Sequence, residues 1–543
     1  MNESKETTDQ KPAGHNAGLP ETIDTKIGGA YSHYVLGVLV LVYIFNFVDR
    51  NILSILAEDI KADLGATDAQ IGFLYGTVFA VFYAVFGIPL ARFADVWVRK
   101  SLISGGLVFW SIMTALSGTA QSFTALATYR VGVGIGEASA SPAAYSILSD
   151  YYPPRQRATV IAIYSAGVYI GAGIGLFLGG FILEYWSSTY PTDAPFGLKG
   201  WQVAFMAVGL PGILMAFWVR TLREPVRGVS EGLIAEKHPA PFKLLGTELA
   251  SVIPPLNLYS IVHHGASLKL NLAAAFIIAL AAWLLILLTG SVLQWIAMGF
   301  GIYVTFSWAQ SLQVRDPATF SMMFRSKAFV FTLIAFPTIS FVTYGVGFWT
   351  APLLMRVHGA SAAEVGLYIG GGSALGGLIA VTSGGYLADK LKQRFAAGRL
   401  MIGFLVIAGT VPMVLWMIHT DSLVTAFWLN FFYHIPSALW AGIPPSTASD
   451  LVMPRMRAVA GAYYIMVNTF IGLALGPYVI GQLSDTFQTS GMSEPEALRT
   501  AISCSMLIFV VSIVCLIIAM RHLPEDEATR LDRARALGEP IPD

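Results

Sequence analysis

The sequence predicts an all-α polytopic membrane protein built from two six-helix halves with an extra helical hairpin between them. Three observations carry this. Of 543 residues, 55% are hydrophobic and only 12% are charged, about half the 25% charged share usual in soluble proteins. Apolar runs near the length of about 20 residues needed to cross a bilayer recur along the whole chain. Polar loop residues then repeat, in the same order, between the first half and the second.

Residues 1–30 are polar, carry Lys5, Lys11 and Lys26, and lack the apolar core of a signal peptide. They are expected to be a disordered cytoplasmic tail, so the first span is retained. Spans are expected near 34–57, 69–93, 100–120, 123–148, 157–185 and 201–221, forming a first bundle over 31–222. The second bundle, 328–522, holds spans near 328–355, 362–388, 399–419, 422–447, 457–482 and 498–521. The linker 223–327 contains two further apolar runs, Asn271–Thr289 and Ser291–Gln310, which read as a hairpin over about 271–310. That makes fourteen spans, or twelve if the hairpin lies at the interface. Residues 523–543 are expected to be a second cytoplasmic tail.

Loop charge sets the orientation. Arg92, Arg99, Lys100, Arg155, Arg157, Arg220, Arg223, Lys390, Arg394, Arg399, Arg455 and Arg521 fall on one face, while Glu58, Asp59, Asp63, Asp68, Asp421, Asp485 and Glu494 fall on the other. The positive-inside rule puts the basic face and both termini in the cytoplasm. Formal net charge is zero, from 33 basic and 33 acidic residues, which argues against a nucleic-acid partner. Cys504 and Cys515 share the last apolar segment, too far apart along one helix to bridge each other. No metal site is expected.

The repeat is carried by loop residues. Ala66–Gly72 matches Ala360–Gly366, and Ala91–Asp95 matches Gly385–Asp389, both at a separation of 294. Ser149-Asp150 with Pro154-Arg155-x-Arg157-Ala158 recurs as Ser449-Asp450 with Pro454-Arg455-x-Arg457-Ala458, at a separation of 300. Two parallel halves related by an axis along the membrane normal form a transporter architecture.

Those loops also resemble a known family. Asp95-x-x-x-Arg99-Lys100, with Gly385 to Lys390 and Arg394 in the second half, resembles motif A of the major facilitator superfamily, although Ala91 and Val98 depart from its usual small residues. The resemblance implies the major facilitator fold. It further implies a cytoplasmic gating role for Asp95, Arg99, Lys100, Asp389 and Arg394, with Asp95 at a neighbouring helix N-terminus. Asp49-Arg50, Tyr129 to Ala138 with Pro142, Ser149 to Ala158, and Tyr344-Gly345-x-Gly347-x-Trp349 resemble the Spinster family of lipid carriers in its bacterial form.

Function turns on charges inside spans. A charge at the centre of a membrane helix costs about 2.5–3.5 kcal/mol on insertion scales, so Asp49 and Arg50 together demand a reason. A self-neutralising pair that only orients the first helix is the competing reading. Asp49 and Arg50 lie about eight residues below the outer end of their helix, roughly 12 Å down. Arg130 lies about as deep on the fourth, with Glu137 two turns beyond it. The superfamily places both helices along a central cavity, which gathers two acids and two arginines there. Arginine stays protonated and can hold an anionic headgroup, whereas Asp49 and Glu137 can gain or lose a proton as they are dried or wetted. Gly132, Gly134 and Gly136 read as helix-packing residues rather than a phosphate cradle. Asn46, Tyr344, Trp349, Trp440 and Asn468 are candidates to line the cavity, and His434 reads as a packing residue.

The expectation is a proton-coupled secondary carrier of sphingolipid- or lysophospholipid-like amphiphiles, working by alternating access, with sphingosine-1-phosphate carriers as the model that the resemblance supplies. A multidrug or organic-anion exporter is the alternative. A membrane-embedded enzyme is more distant, since no H-E-x-x-H, cysteine cluster or Ser-His pattern occurs; the missing Walker A sequence argues against primary pumping, and the two-half repeat disfavours a channel. The expected partners are membrane lipids and the substrate, the coupling ion a proton, the cofactor none, the state a monomer, and the location a bacterial inner membrane.

Overall fold

The computed structural model describes residues 28–231 and 238–539, so the expected N-terminal tail lies almost wholly outside the described residues. The first half begins with α1 (Ala30–Leu64). Its second span is α2 (Asp68–Tyr75) and α3 (Thr77–Val96), broken at Gly76. There follow α4 (Arg99–Ser117), α5 (Phe123–Glu137), α6 (Ala140–Tyr151), α7 (Pro154–Thr189) and α8 (Gly200–Thr221). The linker holds α9 (Pro241–Val252), α10 (Asn257–His263), the hairpin arms α11 (Leu268–Thr289) and α12 (Val292–Arg315), and α13 (Pro317–Phe324). The second half comprises α14 (Lys327–His358), α15 (Ala362–Arg394), α16 (Met401–His419), α17 (Leu423–Ala438) and α18 (Ile443–Asp450). It continues with α19 (Arg457–Asn468), a π-helical turn over Thr469–Leu475, α20 (Gly476–Thr489), α21 (Glu494–Ser505), α22 (Ile508–Ala528) and α23 (Arg530–Ala536). The described residues contain no strand.

Twelve helices among the described residues are long and apolar enough to cross a membrane, the smaller of the two counts the sequence allows. Both hairpin arms are among them. The runs at 123–148 and 422–447 are not, because each is interrupted: α5 gives way to α6 after the glycine-rich stretch ending at Glu137, and α17 gives way to α18 after Pro436. Proline cannot donate the helical hydrogen bond.

The repeat has a structural basis at the second span of each half. Thr67 accepts from the Gln70 backbone N–H while Gln70 Oε1 accepts from the Thr67 N–H. Ser361 and Glu364, 294 positions on, form the same capping box. Each box satisfies two amide donors that a helix start otherwise leaves open.

Between the halves, α7 and α15 approach through glycine. A Cβ at Gly173 would stand 2.5 Å from the Gly370 carbonyl oxygen, and one at Gly72 would stand 2.4 Å from that of Pro477. Among the described residues, the hydrogen bonds and ion pairs joining one half to the other run from mid-depth to the acidic face. They include Ser54 to the Phe348 carbonyl at 2.6 Å, Thr77 to the Ala474 carbonyl at 3.0 Å, and the Arg356 cluster described below. The molecule is therefore tied shut at its acidic face.

The hairpin turns at Gly290, whose φ of 72° suits glycine. A polar network holds its arms together: Asn271 Nδ2 donates to Ser307 Oγ and Gln310 Oε1, each at 3.0 Å, and Tyr303 donates to Asn271 Oδ1 at 2.8 Å. Polar side chains join helices effectively where the surroundings are apolar. The outer arm, α11, presents Phe276, Leu287 and Leu288 outward.

Candidate functional site

Successive side chains on a helix point about 100° apart, so Asp49 and Arg50 face different neighbours. Arg50 Nη2 donates to Glu137 Oε2 of α5 at 2.8 Å and lies 3.5 Å from Asn46 Oδ1. Its guanidinium stands over Phe79 at 4.1 Å and Phe47 at 4.6 Å, with Tyr83 at 5.4 Å. Arginine over aromatic faces gains cation–π attraction that grows as water is removed. Asp49 instead turns toward α4, where Trp110 and Thr114 lie beside its carboxylate. Arg130 Nη1 donates to the Asp49 backbone carbonyl at 3.1 Å, not to the carboxylate. All four charged side chains are buried, Arg130 and Glu137 fully so. The expected quartet is assembled, but its ion pair joins Arg50 to Glu137 across two helices and not Asp49 to its sequence neighbour.

The quartet is only partly satisfied. Asp49 Oδ1, Arg50 Nε, Arg130 Nε and Nη2, Glu137 Oε1, Trp110 Nε1 and Thr114 Oγ1 are buried without a well-formed hydrogen bond. An unsatisfied buried polar atom costs about 1–3 kcal/mol, so this arrangement gains from rearrangement or from water. The nearby glycines are packing residues, as read from the sequence: Cβ atoms at Gly134 and Gly136 would strike the Phe79 carbonyl at 2.7 Å and Trp110 at 2.8 Å.

An aromatic shell was not anticipated on this side of the molecule. Besides Phe47, Phe79 and Tyr83, Tyr43 stacks on Tyr164 at 4.3 Å, and Tyr145 meets Tyr164 edge-on at 5.4 Å. The signal was present: Tyr43, Phe47 and Arg50 are spaced i, i+4, i+7, and Phe79 and Tyr83 i, i+4, so each set shares one helix face.

Of the candidate lining residues, Asn46 is buried beside the Arg50–Glu137 pair and Tyr344 lies near Arg50. Asn468 is half-buried and accepts from Ser340 at 2.7 Å. Trp440 is buried, with its indole N–H lacking a hydrogen bond. Trp349 corrects the expectation. It is fully buried, and its Nε1 donates to the Pro477 carbonyl at 2.8 Å, so it seals the acidic face instead of lining the cavity. Its bulk fills the contact between α14 and α20. The His434 ring bonds the Asn430 carbonyl one turn back at 2.9 Å and meets Tyr433 edge-on, as a packing residue does.

At the acidic face, Arg356 of α14 grips Glu58 of α1 through Nε and Nη2 at 3.0 and 2.7 Å, and Asp68 of α2 through Nη1 and Nη2 at 2.8 and 2.7 Å. Asp68 also accepts from Ser484 and Gln488 and lies 3.0 Å from Lys61. Sequence reasoning passed over Arg356, although an arginine near the acidic end of its helix runs against the charge pattern of that face.

At the basic face, Arg99 is fully buried. It pairs with Asp150 at 2.5 Å and Glu224 at 2.8 Å, and donates to Ser146 and the Pro225 carbonyl. Lys100 Nζ donates to the Leu222 carbonyl at 2.5 Å. Two of the expected gating residues are exposed at this face. Asp95 is largely exposed and 4.0 Å from Arg92. Arg394 is exposed. It is Arg399 that reaches Asp450 at 2.7 Å and Asp389 at 2.8 Å, with Lys392 also on Asp450. Arg99–Asp150 and Arg399–Asp450 are both related by the 300-residue shift. The helix continues past Asp389 to Arg394 whereas α3 ends at Val96, which sets Arg399 further from Asp389 than Arg99 is from Asp95.

Two pseudo-equivalent helical bundles, a buried charged cluster within the first of them and cross-half ties on one face are the parts of a secondary carrier of solutes. A family model, Major Facilitator Superfamily, matches residues 39–477, and the chain belongs to that superfamily of transporters, which are not enzymes. Among curated relatives, an "MFS-type efflux pump" of Mycolicibacterium smegmatis is 26% identical over 454 residues, covering 83% of this chain and 84% of that protein. "Protein spinster" of Drosophila melanogaster is 22% identical over 485 residues, covering 87% of this chain and 66% of that protein, just under two thirds of its length. A crystal structure of a bacterial homologue of the human lysosomal transporter Spinster, inward-facing and occupied, superposes with a TM-score of 0.66 at 26% identity, covering 92% of this chain and 98% of that one. The Spinster resemblance read from the residues is matched in both sequence and fold.

Proposed function

We propose that this chain is a proton-coupled carrier of amphipathic lipids, sphingolipid- or lysophospholipid-like, working by alternating access from a bacterial inner membrane with its basic face and termini in the cytoplasm. The observation that carries the reading is the buried Arg50–Glu137 pair inside an aromatic shell. Arg50 is a permanent cation suited to a phosphate or carboxylate. The surrounding rings suit an acyl chain. When Glu137 takes up a proton it releases Arg50, which is then free to bind an anionic headgroup; the headgroup and the Glu137 carboxylate compete for one guanidinium. Asp49, on the far side of α1, is a second proton acceptor near Arg130. Asp95, Arg99, Lys100, Asp389 and Arg394 belong, in this reading, to the basic-face gate, with Arg399 added. The carrier is monomeric and needs no cofactor beyond the proton.

The test is uptake into proteoliposomes of lysophospholipids, sphingosine-1-phosphate and drug-like amphiphiles, with and without a pH gradient. Glu137→Gln is expected to abolish acceleration by the gradient, and Arg50→Gln to weaken anionic lipids more than zwitterionic ones. Unchanged gradient dependence in Glu137→Gln and Asp49→Asn would sink the coupling scheme. Export of drug-like amphiphiles is the second reading, favoured by the name of the mycobacterial relative. Transport of drugs but not of lipids in the same screen would select it.

A further inference from the structure

The inserted hairpin plays no part in the carrier scheme, yet α12 lies along the seam where the second span of the first half meets the α19–α20 span of the second. Gly301 marks the crossing: a Cβ there would stand 2.9 Å from Phe470 and 3.2 Å from Val81, one residue from each half. The two sides are held differently. Toward the second half, Ser291 donates to Gln482 at 3.0 Å, and Thr305 Oγ1, whose proton serves the Gly301 carbonyl at 2.8 Å, lies 3.4 Å from the Met466 sulfur. Trp295 meets Tyr478 edge-on, and Trp308 stacks on Tyr463. Just beyond α12, Asp316 pairs with Arg455 at 2.6 Å. Toward the first half the contacts are apolar: Phe300 lies on Phe82 at 6.0 Å and Gly301 on Val81. No hydrogen bond joins α12 to α3 among the described residues. Hydrogen bonds fix a geometry, whereas apolar contact is non-directional and survives sliding.

The upstream end of the linker is attached to the opposite half. Phe242 of α9 packs on Phe93 and Trp97, each at 5.4 Å, so α9 stays with α3 while α12 stays with α19 and α20. Asn257 of α10 donates to Tyr303 and Ser307 of α12 at 3.1 and 3.2 Å, so the relative motion falls on the short connection between α9 and α10.

We propose that the hairpin is a sliding seal: α12 rides with the second half, glides over α3 as the halves rock, and keeps this seam shut to amphiphiles in the bilayer. The sealing role rests on the carrier reading; the sliding does not depend on which substrate is carried. In a Cys504→Ala, Cys515→Ala background, two staples test it: Ser291→Cys with Gln482→Cys, and Phe82→Cys with Phe300→Cys joined by a short bismaleimide. The readout is amide hydrogen exchange at residues 52–60, the stretch of α1 that holds Ser54 against the Phe348 carbonyl and Glu58 against Arg356. The first staple is expected to leave this exchange unchanged and the second to slow it in proportion to cross-linking yield. Slowing by both, or by neither, overturns the sliding. In the unstapled protein, a photoactivatable lysophosphatidylcholine is expected to leave no adducts on Val81, Phe82 or Phe470; adducts there overturn the seal. Absence of amphiphile transport alongside the expected staple pattern would defeat the substrate assignment and leave the sliding element standing.

Discussion

Replacing Arg356 with Gln removes the clamp that ties α14 to α1 and α2. Four charge-assisted hydrogen bonds reach Glu58 and Asp68, and Asp68 is completely buried. Removing one partner of a buried ion pair costs about 3–5 kcal/mol. Glu58 retains 23% side-chain exposure, and Lys61 still stands 3.0 Å from Asp68, so the lower end applies, about 3 kcal/mol. The clamp spans the two halves and exists only while the acidic face is shut. Its loss therefore falls on the closed state, and at about 1.4 kcal/mol per tenfold the balance moves toward the acidic-open state by on the order of 100-fold. Arg356→Lys, which keeps the charge but not the two-pronged geometry, falls between. The assay is labelling of a Ser54→Cys reporter in the acidic-face contact by a membrane-impermeant maleimide, since Ser54 is buried against Phe348 in the closed form. Labelling that stays as slow in Arg356→Gln as in the parent would refute the assignment of Arg356 as the clamp.

Arg399→Gln is expected to weaken the basic-face network more than Arg394→Gln, because Arg399 contacts both Asp450 and Asp389; melting temperatures of the two variants in detergent compare them directly, and equal losses would return the role to the motif position. Gly173→Val forces a side chain against the Gly370 carbonyl, 2.5 Å from the added Cβ, and overpacking of this kind costs about 1–3 kcal/mol, visible as a lower unfolding midpoint. Asp316 is held down to about 2, chiefly by hydrogen bonds from Arg455. Because that value lies below the ordinary 3.8, its contribution is complete above pH 3.8 and fades as the pH falls toward 2. Protection of α13 from hydrogen exchange should thus be flat between about pH 5 and pH 8, and a loss of protection within that window would contradict it.

Much of this protein is legible from residue order because a bilayer constrains sequence so strongly. Every backbone polar group in the hydrocarbon layer must be paired within the chain, so helices become visible as apolar runs. Duplicated loop polar groups, such as the capping boxes at Thr67 and Ser361, expose the two-half plan before any coordinates. The same logic marks Asp49, Arg50, Arg130 and Glu137 as a set, since buried charges need company.

Partner choice within that set was decided only by tertiary structure. Counting residues gives depth along a helix, but rotation between helices determines that Arg50 meets Glu137 while Asp49 turns to α4. Trp349 shows the same limit: its sequence neighbours fit a cavity wall, and its packing against Pro477 puts it in the seal. Arg356 reaches Glu58, 298 positions away, and Arg399 reaches Asp450, 51 positions away, pairings set by how helices pack, a relation that local periodicity does not encode. Sequence alone determined which groups had to be inside the membrane; the crossing and rotation of the helices decided which of them touch, and hence which face is locked.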